Sequence, residues 1–263
     1  MLKIEGLIKY FGRGTVNEVL ALSRLDLNVE EGEFVCLIGG NGAGKSTLMS
    51  CISGANLPDA GRITLAGRDI TFQPEYKRAG LIGRVFQDPL SGTCASMTLE
   101  ENLALAALRG RRRGLAPGVR RQDRAGYREL LTSLDLGLES RLTDQVGLLS
   151  GGQRQSLTLL MATLIRPTLL LLDEHTAALD PKTARLTMNL TQELVEKNKL
   201  TTLMITHNMN QALTYGHRLI MMDRGRIILD VGAEEKARLT VPDLLEKFTR
   251  AGSDNVTDRL ILA

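Results

Sequence analysis

Apolar and polar positions along the 263-residue chain fall into three regimes. Near the start, Leu25-Asp26-Leu27-Asn28-Val29 alternates the two, the period of a half-exposed antiparallel strand. After a Glu31-Gly32 turn, Phe34-Val35-Cys36-Leu37-Ile38 is apolar without a break, which predicts a strand covered on both faces of a parallel sheet. It runs into a glycine-rich stretch and then a short helix whose Leu48, Met49 and Ile52 share a face, ending near Gly54. Ile63 and Leu65, followed by Gly67, predict a hairpin arm.

From Thr98 to about Arg166 the period becomes helical. Thr98 with Glu101, and Ser150 with Gln153, have the spacing of capping boxes. Strand-like runs resume at Leu169–Leu172, Thr201–Ile205 and Leu219–Met222, with helical stretches between them. Asp180-Pro181 opens one of these helices as cap and first-turn proline. Alternating strands and helices predict an α/β fold with a mainly parallel sheet. The antiparallel pattern precedes that sheet, and the helical middle is an insertion into it.

Composition narrows this picture only a little. Hydrophobic residues are 43% and charged residues 24%, ordinary for a globular protein. A net charge of +3 is too mild to argue for nucleic acid. Cys36, Cys51 and Cys94 are far apart and lack metal-site or disulfide spacing, which suits a reducing compartment. Met1–Glu5 lacks the layout of a signal peptide, and no stretch approaches the roughly 18 to 20 apolar residues of a membrane helix. Any membrane crossing is therefore expected of another chain.

Three segments carry chemistry. Gly39-Gly40-Asn41-Gly42-Ala43-Gly44-Lys45-Ser46 fits the G-x-x-x-x-G-K-[ST] phosphate loop, set between a buried strand and a helix as its mechanism requires. Its N–H groups and the helix N-terminus would face phosphate oxygens, Lys45 would neutralise the β- and γ-phosphates, and Ser46 would bind Mg²⁺. Leu169–Leu172 delivers Asp173 to the carboxyl edge of the sheet as a second Mg²⁺ ligand, and Glu174 follows, placed to polarise an attacking water. Leu149-Ser150-Gly151-Gly152-Gln153 is a glycine-bearing helix start, either an ordinary capped helix or a second phosphate-binding surface.

With these segments in this order, the chain resembles the ATP-binding cassette family across about Met1 to Arg250. The resemblance implies a P-loop NTPase core, an N-terminal antiparallel β subdomain and an inserted α-helical subdomain. It places the core at residues 1–88 and 160–250, the helical subdomain at 89–159 and a C-terminal tail at 251–263. It implies ATP and Mg²⁺ as cofactors, with Gly39 to Ser46 and Thr47 on the nucleotide. It also implies a head-to-tail dimer in which Ser150, Gly151, Gly152 and Gln153 of one copy cap the ATP of the other.

By the same matching, Gln87 in Val85-Phe86-Gln87-Asp88-Pro89 touches Mg²⁺ or the attacking water, and His207 contacts the γ-phosphate. Asp180 belongs to the loop that crosses the dimer seam. Phe11, with Tyr10 as the neighbouring alternative, stacks on adenine. His175 departs from the family pattern; it is either a harmless variant or a contact at the seam.

The basic stretch Arg109–Arg128, which includes Arg111-Arg112-Arg113, is a solvated surface or a contact for lipid headgroups or a permease. The expected activity is ATP hydrolysis, coupled to import of a small organic solute such as an amino acid. The expected partners are a second copy, an integral membrane permease and, indirectly, a solute-binding protein, with no nucleic acid. The expected location is the cytoplasmic face of the inner membrane. The competing classes are a soluble ATP switch on nucleic acid or ribosomes, and an efflux or mechanotransmission cassette.

Overall fold

The structure is a computed structural model describing residues 1–111, 114 and 117–250. Arg112 and Arg113 of the basic run, and the tail 251–263, lie outside the described residues. The chain opens with strands β1 (Leu2–Phe11), β2 (Val19–Val29) and β3 (Phe34–Gly39), then helix α1 (Lys45–Ser53). Next come β4 (Ala60–Leu65), β5 (Arg68–Asp69), the short α2 (Glu75–Arg78) and β6 (Ile82–Val85). The helical middle holds α3 (Leu99–Ala107), α4 (Asp123–Thr132) and α5 (Gly151–Leu164), with a 3₁₀ turn at Val146–Leu148. β7 (Leu169–Asp173), α6 (Pro181–Asn198), β8 (Thr202–Ile205), α7 (Met209–Thr214) and β9 (Arg218–Asp223) follow. β10 (Arg226–Val231), α8 (Ala233–Lys236) and α9 (Val241–Arg250) close the described chain.

Two sheets organise these elements. One is antiparallel, in the order β2-β1-β4-β5; its β4–β5 hairpin turns through Ala66 and Gly67, both at positive φ. The other runs β10-β9-β3-β8-β7-β6, all parallel except the edge strand β10. The uninterrupted apolar strand thus sits between two parallel neighbours. Period-2 alternation then sorts its side chains. Val35 and Leu37 join a core with α1 and the antiparallel sheet, while Phe34, Cys36 and Ile38 join one with α6, α7 and α9.

The helical middle has its own core of Leu99, Leu103, Leu131, Leu138, Val146 and Leu157, among others. Both expected capping boxes form, at Thr98/Glu101 on α3 and Ser150/Gln153 on α5. Asp180 caps α6 by accepting from the Thr183 N–H at 3.1 Å. Among the described residues no helix is long and apolar enough to cross a membrane.

Arg78 and Arg109 act inside the protein on helix-end carbonyls. Arg78 is fully buried and donates to the carbonyls of Cys51, Ile52, Thr71 and Gln73, so its charge lies against the C-terminal end of α1. Arg109 donates to the carbonyls of Ala162 and Ile165 at the end of α5. Arg124 forms a two-pronged pair with Glu100, at 2.6 and 2.8 Å. Arg109 therefore serves the fold and departs from the reading of the stretch as solvated or membrane-facing, whereas Arg111, Arg120, Arg121 and Arg128 are exposed.

Candidate functional site

Residues 39–46 form a cradle at the carboxyl end of β3, leading into α1. Two of its glycines are required by crowding and backbone shape. A Cβ at Gly39 would stand 2.4 Å from the Met222 carbonyl oxygen. Gly44 caps α1 at φ 98°, where a Cβ would meet the Ala21 carbonyl at 2.6 Å. Lys45 folds back across the loop, its Nζ donating to the Gly39 and Gly40 carbonyls at 2.8 and 3.1 Å. Burial lowers its pKa, opposed by the nearby Glu174 and Asp173 carboxylates. Ser46 is exposed in the first turn of α1.

Asp173 ends β7 and Glu174 follows it. Register with β8 pairs Asp173 with Ile205, so the acidic pair lies next to the segment that leaves β8. Glu174 adopts φ 45°, unusual for a side-chain-bearing residue, and its N–H donates to the Ile205 carbonyl at 3.0 Å. His207 Nδ1 lies 3.5 Å from Glu174 Oε2. That contact holds the Glu174 carboxyl below its ordinary pKa against the opposing effect of burial, and the Lys45 charge acts in the same direction.

His207 is set in a tight loop. The Thr206 hydroxyl donates to Gln211 Oε1 at 3.0 Å and accepts from the Asn208 N–H at 3.1 Å, and the Asn208 side chain caps α7. Gln211 also reaches the Thr176 hydroxyl at 3.4 Å, which ties this loop to the one after Glu174.

Asp173 has a partner that sequence reasoning missed. Arg84 Nη2 lies 3.3 Å from Asp173 Oδ2. Burial raises the Asp173 pKa, and Arg84 opposes that rise. The pair follows from register: β6 and β7 run parallel with Arg84 opposite Leu171, so Asp173 is the diagonal neighbour on the same face. The only sequence signal was the period-2 position of Arg84 between Ile82 and Phe86.

The remaining expected residues lie apart from this cluster. Gln87 is exposed just past β6, and the Phe86 carbonyl before it accepts from the buried Gln155 amide at 3.1 Å. Ser150 and Gly151 are exposed at the start of α5, while Gly152 is buried where a Cβ would stand 2.1 Å from Thr183 Cγ2. Among the described residues no hydrogen bond or ion pair joins 150–153 to the 39–46 loop. Asp180 is exposed between Glu174 and α6.

Phe11 is 40% exposed at the end of β1 with Lys9 over its ring, and Tyr10 carries Arg13 over its own. His175 is buried, its Nε2 3.0 Å from Thr191 Oγ1. Thr191 spends its hydroxyl proton on the Thr187 carbonyl at 2.8 Å, so the ring proton sits on Nε2. His175 therefore packs against α6, and no imidazole is offered to the surface.

The donor set suits a triphosphate with a hard divalent cation. Backbone amides and one lysine line the cradle, and the Ser46 hydroxyl and the Asp173 carboxylate are oxygen donors of the kind such a cation takes. Among the described residues no cluster of three or more His, Cys, Asp or Glu could hold a metal without such help.

Residues 22–177 match the family described as ABC transporter. A tyrosine transport ATP-binding protein of Clostridioides difficile is 47% identical over 251 residues, covering 95% of this chain and 100% of the relative. A methionine import ATP-binding protein of Rhizobium etli is 39% identical over 211 residues, 79% of this chain and 56% of the relative, so the chain spans little more than half of that protein. Among solved structures, a nucleotide-free ATP-binding cassette of an ABC transporter aligns with TM-score 0.77 at 28% identity, covering 94% of this chain and 98% of the other. A dimeric ATP-binding cassette in a post-hydrolysis state bound to ADP and Pi aligns with TM-score 0.74 at 29% identity, covering 89% and 99%.

Proposed function

The chain belongs to the ABC transporter family and is an ATPase, and from that premise we propose that it powers an importer of a small organic solute. It works as one of two copies on the cytoplasmic face of the inner membrane, coupled to a separate permease that receives solute from a binding protein. The relative named for tyrosine transport, matched end to end, supports an amino acid as the solute.

In this reading the amides of residues 39–46 and Lys45 hold the phosphates, and Thr47 lies beside them on α1. Ser46 and Asp173 hold Mg²⁺, with Gln87 at its edge. The metal, when bound, neutralises charge on the transferring phosphoryl oxygens. Glu174 accepts a proton from the attacking water, and His207 steadies Glu174 and reaches the γ-phosphate. Phe11 stacks on adenine. Ser150, Gly151, Gly152, Gln153 and Asp180 of one copy face the nucleotide of the other, which accounts for a capped helix start left exposed away from its own loop.

The observation that carries the proposal is Glu174 held at φ 45°, 3.5 Å from His207 at the end of a buried parallel strand, with its carboxyl kept below the ordinary pKa by that contact. The test is reconstitution in liposomes with the polytopic membrane protein that co-purifies with the chain. Amino-acid uptake should require Mg-ATP on the side of this chain. Outward transport, or co-purification with RNA or DNA and no membrane protein, would refute it.

A further inference from the structure

Arg84 is a half-buried arginine on β6, the edge strand of the parallel sheet beside β7. Among the described residues its one acidic partner is Asp173, the residue read above as a metal ligand. The two side chains are 17% and 15% exposed, so neither is a solvated surface charge. The contacts are loose: 3.3 Å to Asp173 and 3.4 Å to the Ser53 hydroxyl on α1, while Nε has no hydrogen-bond partner among the described residues. What fixes the guanidinium is its stem in the strand and the Phe86 ring, 4.6 Å away.

An arginine cannot lose its charge in a protein. A guanidinium held loosely against a metal-ligand carboxylate is a cation that can balance the acid and still release it. Asp173 and Glu174 together place two negative charges near the phosphate cradle, and Lys45 faces both. With neither metal nor Arg84, a triphosphate would meet that pair with a single lysine to offset it.

We propose that Arg84 is a built-in counter-cation for Asp173, which lets the site accept a triphosphate before the metal is in place and cedes the carboxylate once the metal arrives. This rests on the reading of Asp173 as a metal ligand. It predicts an effect on how strongly nucleotide binding depends on metal, beyond any effect on folding.

The experiment measures the affinity of full-length protein for a fluorescent ATP analogue, once in EDTA and once in excess Mg²⁺. It compares wild type, Arg84→Met, Arg84→Lys and the double variant Arg84→Met with Asp173→Asn. Methionine keeps the apolar stem against Phe86 and removes the charge. Arg84→Met should weaken metal-free binding on the order of tenfold, the scale of one lost partly buried charge. It should leave binding in Mg²⁺ unchanged or tighter, and lower the Mg²⁺ concentration needed for half-saturation. Arg84→Lys should keep most of the metal-free affinity.

With Asp173 neutralised, the metal-free loss from Arg84→Met should disappear. Equal losses in EDTA and Mg²⁺, or a loss that persists in the double variant, would overturn the proposal and leave Arg84 a packing residue. If Arg84→Met does not fold, Arg84→Lys alone decides: a loss of metal-free affinity on the order of tenfold against wild type overturns it. A wild type that fails to bind nucleotide even in Mg²⁺ would sink the nucleotide site itself, an outcome distinct from an unaltered ratio.

Discussion

Glu174 and His207 meet at 3.5 Å across the carboxyl ends of two adjacent parallel strands, and the backbone sets the meeting. Glu174 is turned into the left-handed region and anchored by its N–H to the Ile205 carbonyl, two residues before His207. A carboxylate arranged this way loses little freedom when it takes up a catalytic position.

Replacing Glu174 with Gln keeps shape and removes the base. Steady-state hydrolysis should fall by roughly 10²- to 10⁴-fold, while Mg-ATP binding survives, because the cradle and Asp173 are untouched. Gel filtration in ATP should then show an enlarged, long-lived dimer. Turnover near the wild-type rate would remove Glu174 from the role of base.

Ser150 is exposed, and its hydroxyl caps α5 through the Gln153 N–H at 3.3 Å. Ser150→Ala should cost about 1 kcal/mol of stability through the lost cap. If residues 150–153 face the partner's nucleotide, hydrolysis by the dimer should fall much further than that. Nucleotide affinity measured under monomeric conditions should stay within about twofold. Collapse of monomer binding would show that this helix start serves its own loop instead.

Much of the site was legible because its rules are local. A glycine loop between a buried strand and a helix, two capping boxes and a proline-led helix each announce themselves within a few residues, and all of them form. What stayed hidden depends on register and tertiary approach. Arg84 meets Asp173 only because β6 and β7 align Arg84 with Leu171. Gln155 reaches the Phe86 carbonyl across the interface between α5 and β6, and nothing around Gln155 in the chain foretells it. Arginines read by default as solvent-facing, yet Arg78 and Arg109 are drawn inward by helix-end carbonyls that no sequence window displays.

His175 gives a pH dependence. Its complete burial pulls the pKa to about 4, below the ordinary 6.5. The unfolded chain therefore takes up a proton at higher pH than the folded protein does, and stability declines as pH falls from about 6.5 to about 4. The shift corresponds to roughly 3 kcal/mol across that window. Urea midpoints at pH 7.5, 5.5 and 4.5 would record it, and His175→Asn, which does not titrate there, should flatten the decline. A wild-type midpoint that holds steady to pH 4.5 would mean the ring is hydrated or already charged.

Arg78 is the strongest test of packing near the phosphate loop. Its guanidinium is the common donor for Cys51, Ile52, Thr71 and Gln73 carbonyls, and Gly54 must lack a Cβ because one would stand 2.7 Å from Arg78 Nε. Removing the side chain relieves the cost of a buried charge, but it also orphans acceptors at the end of α1 and leaves a void. Each orphaned acceptor costs about 1 to 3 kcal/mol, so the loss should win, by about 3 kcal/mol net. For a chain of this size that is a fall of roughly 6 to 12 °C in melting temperature. Arg78→Lys, with fewer donors and no planar fork, should recover only part of it. Nucleotide affinity of the folded fraction should change little, since the cradle lies at the opposite end of α1. A melting temperature within about a degree of wild type for Arg78→Met would show that water takes over the four carbonyls, and that the helix behind the loop needs no internal cation.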